Sequence, residues 1–181
     1  MRRVSVVGNS GSGKSTIASA IAERLGVPHV ELDAIHHQAD WEPTPPERLR
    51  EAVLRRIDSD GLVVDGNYAG VRDLVWSRAD TVVWLDPPRA LVVWQVLTRT
   101  LRRIATRQEL WNGNRERWRY LFTLDPQVSV VLWAWMRHDM YQERYERAMA
   151  DPAWAHLRFV RVRSRRDAAR MLAALGPAGP G

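Results

Sequence analysis

Residues Gly8-Asn9-Ser10-Gly11-Ser12-Gly13-Lys14-Ser15 complete the pattern G-x-x-x-x-G-K-[ST], and no other segment restricts the possible fold as strongly. Such a loop needs a buried strand feeding it and a helix leaving it. Only that arrangement aims backbone N–H groups and the positive end of a helix at one phosphate. The flanks comply. Residues 3–7, Arg-Val-Ser-Val-Val, predict a short strand of a parallel sheet. Residues 16–25 predict a helix, with Ile17, Ile21 and Leu25 on one apolar face, Gly26 as terminator and Pro28 beyond. Lys14 is the only lysine of the chain; the other 26 of its 27 basic side chains are arginine. An ammonium is a point charge that lies between two phosphates, where the wide guanidinium fork does not fit. The reading is a nucleotide site formed by Gly8, Ser10, Gly11, Ser12, Gly13, Lys14, Ser15 and Thr16. Lys14 reaches the terminal phosphates of ATP, and the Ser15 hydroxyl reaches Mg²⁺.

Strand and helix patterns alternate through the rest of the chain. Strands are expected at 29–32, ending at Asp33, and at 61–65, 81–86 and 157–162. Residues 34–43 and 108–114 read as loops. Helices are expected at about 44–59, with Thr44 as N-cap and Pro45 at the first position, and from 87 to about 107. Further helices are expected at about 115–122, at 126–149 with Asp125 as cap, and at 165–175 behind Ser164. A short helix reaching about residue 78 follows the loop 66–70. The pattern gives an α/β domain, residues 1–175, with a parallel sheet covered on both faces; the tail 176–181 is expected to be disordered. Ligands of such sheets bind beyond the carboxyl ends of the strands. This directs attention to Asp33, Asp65, Asp86 and the Ser164-Arg165 pair.

Composition sets outer limits. Net charge is +6 and the sequence pI about 10.6, which suits anionic ligands. Nucleic acid is the less favoured partner, because no nucleic-acid motif accompanies the charge. The absence of cysteine excludes disulfides and thiolate metal sites. No apolar run is long enough for a membrane span, and no export signal precedes the first strand, so a cytoplasmic protein is expected.

The segments Gly8–Thr16, Leu32-Asp33 with His36 and Trp41, Val63-Val64-Asp65-Gly66-Asn67-Tyr68, Ala79-Asp80-Thr81 with Leu85-Asp86, and residues 107–116 together carry a family resemblance. The chain resembles the adenylate kinase-like group of small P-loop kinases, which includes shikimate and gluconate kinases. More narrowly it is similar to a bacterial subgroup labelled "DNA topology modulation protein" or AAA-family ATPase. The resemblance implies a three-layer P-loop fold with strand order 2-3-1-4-5, an acceptor-binding insert at about 33–60 and a lid at about 99–122. It implies Asp65 as a Walker B-type magnesium ligand and Asp33 as the acceptor's base or orienter. His36, Trp41, Asn67, Tyr68 and Arg72 become acceptor-side candidates. The proline and the arginine position of the Asp-Gly-Phe-Pro-Arg motif of nucleoside monophosphate kinases are not reproduced around Gly66-Asn67-Tyr68 and Arg72. Lid arginines that stabilise transition-state charge are expected at Arg103 and Arg107, behind Arg99, with Arg115 and Arg119 as the alternative pair. Arg165 is placed against the adenine.

The reading is therefore an ATP- and Mg²⁺-dependent phosphotransferase acting on a small molecule. A nucleoside monophosphate kinase and a non-catalytic nucleotide-binding or DNA-associated regulator are the alternatives. His36 and His37 are adjacent, so only one of them is expected at the site. Trp133 and Trp135 cannot share one helix face, which leaves one of them for a homodimer contact or an acceptor wall.

Overall fold

The structure, a computed structural model, describes residues 1–114 and 129–176. Five parallel strands form one sheet in the order β2-β3-β1-β4-β5: β1 Arg3–Gly8, β2 His29–Glu31, β3 Leu62–Asp65, β4 Thr81–Leu85 and β5 Arg158–Val162. The helices are α1 Lys14–Leu25, α2 Leu32–His36, α3 Pro46–Leu54, α4 Ala69–Trp76, α5 Arg89–Ala105, α6 Val130–Ala150 and α7 Arg165–Ala173.

The period of two in each strand decides which helices cover which face. Val4, Val6, Val63, Val83, Leu85 and Val162 point to one side, where Ala18, Ile21 and Ala22 of α1 meet them and α7 completes the layer. Val7, Leu62, Val64, Val82 and Trp84 point to the other, against Leu49 and Val53 of α3, Val71, Val75 and Trp76 of α4, and Tyr145 of α6. Both faces are buried, which is why the strands read as continuous apolar runs. Trp76 is 1% exposed and donates its indole N–H to Ser5 Oγ at 3.2 Å, so its burial leaves no polar atom stranded. A separate apolar contact, Val92 and Val96 against Ala134, joins α5 to α6.

Several boundaries depart from expectation. β2 ends at Glu31, and Leu32 to His36 turn into α2 where a strand end and a loop were expected; a short 3-10 turn, Ala39–Trp41, follows. Thr44 does not cap α3. Its hydroxyl donates to Ile35 O at 2.7 Å, Pro45 takes the cap position, and the α-helix ends at Leu54, which is exposed. α5 stops at Ala105, so Arg107 lies beyond the helix with φ +48°. α6 is described from Val130 and is capped by Ser129, whose Oγ accepts from Leu132 N. Asp125, the helix expected at 115–122 and most of the tail lie outside the described residues, as do Arg115 and Arg119. Ser164 caps α7 as expected, accepting from Asp167 N at 3.1 Å.

Candidate active site

The loop between β1 and α1 is held from three sides. Asn9, 4% exposed, accepts from Ser10 N at 2.7 Å and donates to Ala134 O of α6 at 2.7 Å. Its carbonyl accepts from Ser12 N at 3.1 Å and from Lys14 Nζ at 3.2 Å. Gly11 packs on α5 so closely that a Cβ there would lie 2.2 Å from Val96 Cγ2. Gly13 has φ +92° and turns the chain into α1 with no side chain in the cap position. Ser15 and Thr16 are exposed on the first turn. Burial pushes the Lys14 ammonium below the usual lysine pKa; the Asp33 and Asp65 carboxylates oppose that shift and Arg99 adds to it. Arg99 reaches the loop itself, with Nη2 3.5 Å from Ser10 Oγ.

Asp65 ends β3, 1% exposed. Its Oδ2 lies 3.2 Å from His29 Nε2, while Oδ1 is buried without a hydrogen-bond partner. An orphaned, buried carboxylate oxygen at this strand end suits a cation, so Asp65 fits a role in holding one. Two residues on, the amide of Asn67 clasps the first glycine of the loop. Gly8 N donates to Asn67 Oδ1 at 3.0 Å, Asn67 Nδ2 donates back to Gly8 O, and Tyr145 Oη of α6 donates to the same Oδ1 at 2.8 Å.

Of the acceptor-side candidates, Asp33, His36, Trp41 and Tyr68 are brought together, whereas Asn67 and Arg72 are engaged elsewhere. Tyr68 Oη donates to Asp33 Oδ1 at 2.6 Å. Burial and the facing Asp33 carboxylate push the Tyr68 phenol far up, so it remains a donor. The His36 ring stands 4.5 Å from that of Tyr68, and His37 Nε2 lies 3.5 Å from Tyr68 Oη. Both histidines therefore reach one cluster. Adjacent residues manage this because α2 ends at His36 and His37 is already extended. Burial lowers both imidazole pKa values, with His37 adding to the effect at His36 and Asp33 opposing it at each. Trp41 and Trp111 flank His37 at 5.3 and 6.0 Å between ring centroids. The segment Trp111–Asn114 is tied to this wall. Asn112 Nδ2 donates to His37 O, Asn114 Nδ2 to Gln38 O, Trp41 N to Asn114 Oδ1 at 2.8 Å, and Trp111 Nε1 to Glu31 Oε2 at 2.9 Å.

No family model matches the chain. Over 110 residues it is 34% identical to a dephospho-CoA kinase of Yersinia pseudotuberculosis, covering 60% of this chain and 52% of that protein. Over 124 residues it is 33% identical to a shikimate kinase of Gloeobacter violaceus, covering 61% of this chain and 68% of that protein. This chain belongs to the small P-loop kinases. It spans about half the length of the dephospho-CoA kinases it matches. Among solved structures, the fold is shared with a shikimate kinase from Acinetobacter baumannii in complex with shikimate, with TM-score 0.54, 18% identity, and 97% of this chain and 93% of that one covered. A gluconokinase from Sinorhizobium meliloti gives TM-score 0.51 at 22% identity, covering 96% and 93%.

Other candidate residues of the chain lie in different settings. Arg72 stands over the Trp76 ring at 5.4 Å. Arg103 is half-buried in the last turn of α5, while Arg107 and, on α7, Arg165 are exposed. Asp86 is engaged structurally: Arg161 Nη2 lies 2.7 Å from Oδ2, and Gln142 Nε2 donates to Oδ1 at 3.0 Å. Trp135 is 50% exposed, with Arg89 over its ring, whereas Arg137 covers Trp133. Asn9, His29, Glu31, Tyr145, Trp111 and Asn114 escaped the sequence reading. His29 and Glu31 alone carried a signal, alternate polar residues on a three-residue strand. No helix among the described residues is long and apolar enough to cross a membrane.

Proposed function

We propose that this P-loop kinase transfers the γ-phosphate of ATP to a hydroxyl of a small-molecule acceptor held beside Asp33. The observation that carries the reading is the position of Asp33: hydrogen-bonded to Tyr68, whose ring stands beside His36 and whose hydroxyl lies 3.5 Å from His37, and electrostatically coupled to Lys14. Ser15 and Asp65 would hold Mg²⁺, which would supply neutralising charge to the phosphates. The residues do the rest. Lys14 and the loop's backbone N–H groups fix the phosphates. Asp33 orients the acceptor hydroxyl and takes its proton as the new oxygen–phosphorus bond forms and the bond to the β-phosphate's bridging oxygen breaks. Tyr68, always protonated, keeps one Asp33 oxygen engaged and leaves the other for the acceptor.

Gly8, Ser10, Gly11, Ser12, Gly13 and Thr16 complete the nucleotide cradle in this reading, and Arg165 borders the base. Arg103 and Arg107 supply charge over the transferring group. Dephospho-CoA and shikimate, named for the relatives, mark the class of acceptor. A nucleoside monophosphate is disfavoured, since Arg72 packs on Trp76. The narrower "DNA topology modulation" label adds a nucleotide-dependent DNA regulator as the competing reading.

The test is transfer of labelled phosphate from ATP to a panel of sugars, cyclic alcohols, dephospho-CoA and nucleoside monophosphates. Product on a hydroxylated metabolite, lost in Asp33→Asn, is expected. Transfer to a nucleoside monophosphate alone overturns the acceptor assignment, and nucleotide-dependent DNA binding without transfer favours the regulator.

A further inference from the structure

We propose that His29, Glu31 and Asp65 form a binding site for a divalent cation that accepts imidazole, of the Mn²⁺ or Zn²⁺ class. It differs in ligand set from a magnesium held by Ser15 and Asp65.

The topology makes the cluster. In the parallel pairing of β2 with β3, His29 stands beside Val63 and Glu31 beside Asp65. Residues two apart on a strand share a face, so the imidazole and both carboxylates project from the same side of the sheet. One donor atom from each lies within 4.8 Å of the others. Two ligands each about 2.0–2.2 Å from one metal ion are roughly 3–3.5 Å apart. The 3.2 Å between His29 Nε2 and Asp65 Oδ2 already meets that spacing. Glu31 closes the third position by turning away from the Trp111 indole that it now accepts from.

A plain His–Asp pair would explain only one oxygen of Asp65. The other, Oδ1, is buried with no partner on a residue 1% exposed, an arrangement that favours a bound cation. The donor set is one imidazole nitrogen and two carboxylates, with positions left for water. Imidazole favours zinc and its neighbours, and carboxylate favours manganese and magnesium. A mixed set selects Mn²⁺ or Zn²⁺ over Mg²⁺.

The test uses the full chain without nucleotide. Mn²⁺ is titrated with the free ion followed by electron paramagnetic resonance, and Zn²⁺ by calorimetry. One equivalent should bind, with a change in tryptophan emission that Trp111→Phe diminishes. His29→Gln keeps a donor toward Asp65 but removes the imidazole; it and Glu31→Gln should each weaken binding at least tenfold. Their melting temperatures in chelator should match the parent's, which separates lost ligation from lost fold. Equal Mn²⁺ affinity in the parent and His29→Gln overturns the proposal and leaves the cation on Asp65 and Ser15. Absence of binding by either metal also overturns it. Both results stand whether or not the chain phosphorylates any acceptor.

Discussion

Lys14 combines two demands that oppose each other. The ammonium must be charged to meet phosphate, yet its surroundings lower its pKa through burial. Asp33 and Asp65 supply the counter-charge, and in the structure Nζ also donates to Asn9 O. Replacing it with arginine preserves the charge but puts a wide planar fork where a compact ammonium donates to Asn9 O. Lys14→Arg should lower phosphoryl transfer by at least about 10²-fold, comparable to removal of one transition-state donor. Its melting temperature should stay within roughly 3 °C of the parent. Steady-state turnover and thermal melts on the same preparation check this; near-parent turnover would refute the steric argument.

The elements around the phosphate loop set its shape as much as its own sequence does. Asn67, carried just past β3, holds Gly8 through both backbone groups, and Tyr145 of α6 holds Asn67. Asn67→Ala strands a backbone N–H and a carbonyl, a loss of about 1–3 kcal/mol of unfolding stability. Nucleotide affinity should fall about tenfold, with Tyr145→Phe showing a smaller drop in the same direction. Calorimetric titration with a non-hydrolysable nucleotide measures both. None of this was legible in the sequence, where Asn67 reads as a polar residue facing the acceptor. Motif residues announce their chemistry because spacing along the chain fixes their geometry. A clasp between residues 59 and 78 positions apart depends on which strands become neighbours. Local competition misled the reading elsewhere. Thr44-Pro45-Pro46-Glu47 has the composition of a helix cap, but the Thr44 hydroxyl is drawn to Ile35 O. Leu32 has strand chemistry, yet the chain must turn there to bring Asp33 under Tyr68. The strand order, by contrast, agrees with the order that the family resemblance implied.

Across the molecule, acid sensitivity should originate at the adjacent pair His36 and His37. His36 and His37 titrate lower in the fold than in the unfolded chain, where histidine stands near 6.5. The unfolded state therefore takes up more protons as pH drops, so the stability tied to the neutral rings is complete above about 6.5 and declines below it. Asp73, Asp80, Asp139 and Asp167 are shifted below the usual carboxylate value, so their contribution is lost only at more acid pH. Urea midpoints should fall between about pH 7 and pH 5, and His36→Gln with His37→Gln should flatten that slope. An unchanged slope in the double variant would place the sensitivity elsewhere. The arginine-rich composition has a last consequence, for labelling. Any acylating reagent that seeks side-chain amines finds one lysine in the chain, inside the glycine-rich motif and at the proposed phosphate site. Its extent of modification is a direct gauge of occupancy, with bound nucleotide as the shield, and it needs no knowledge of the acceptor.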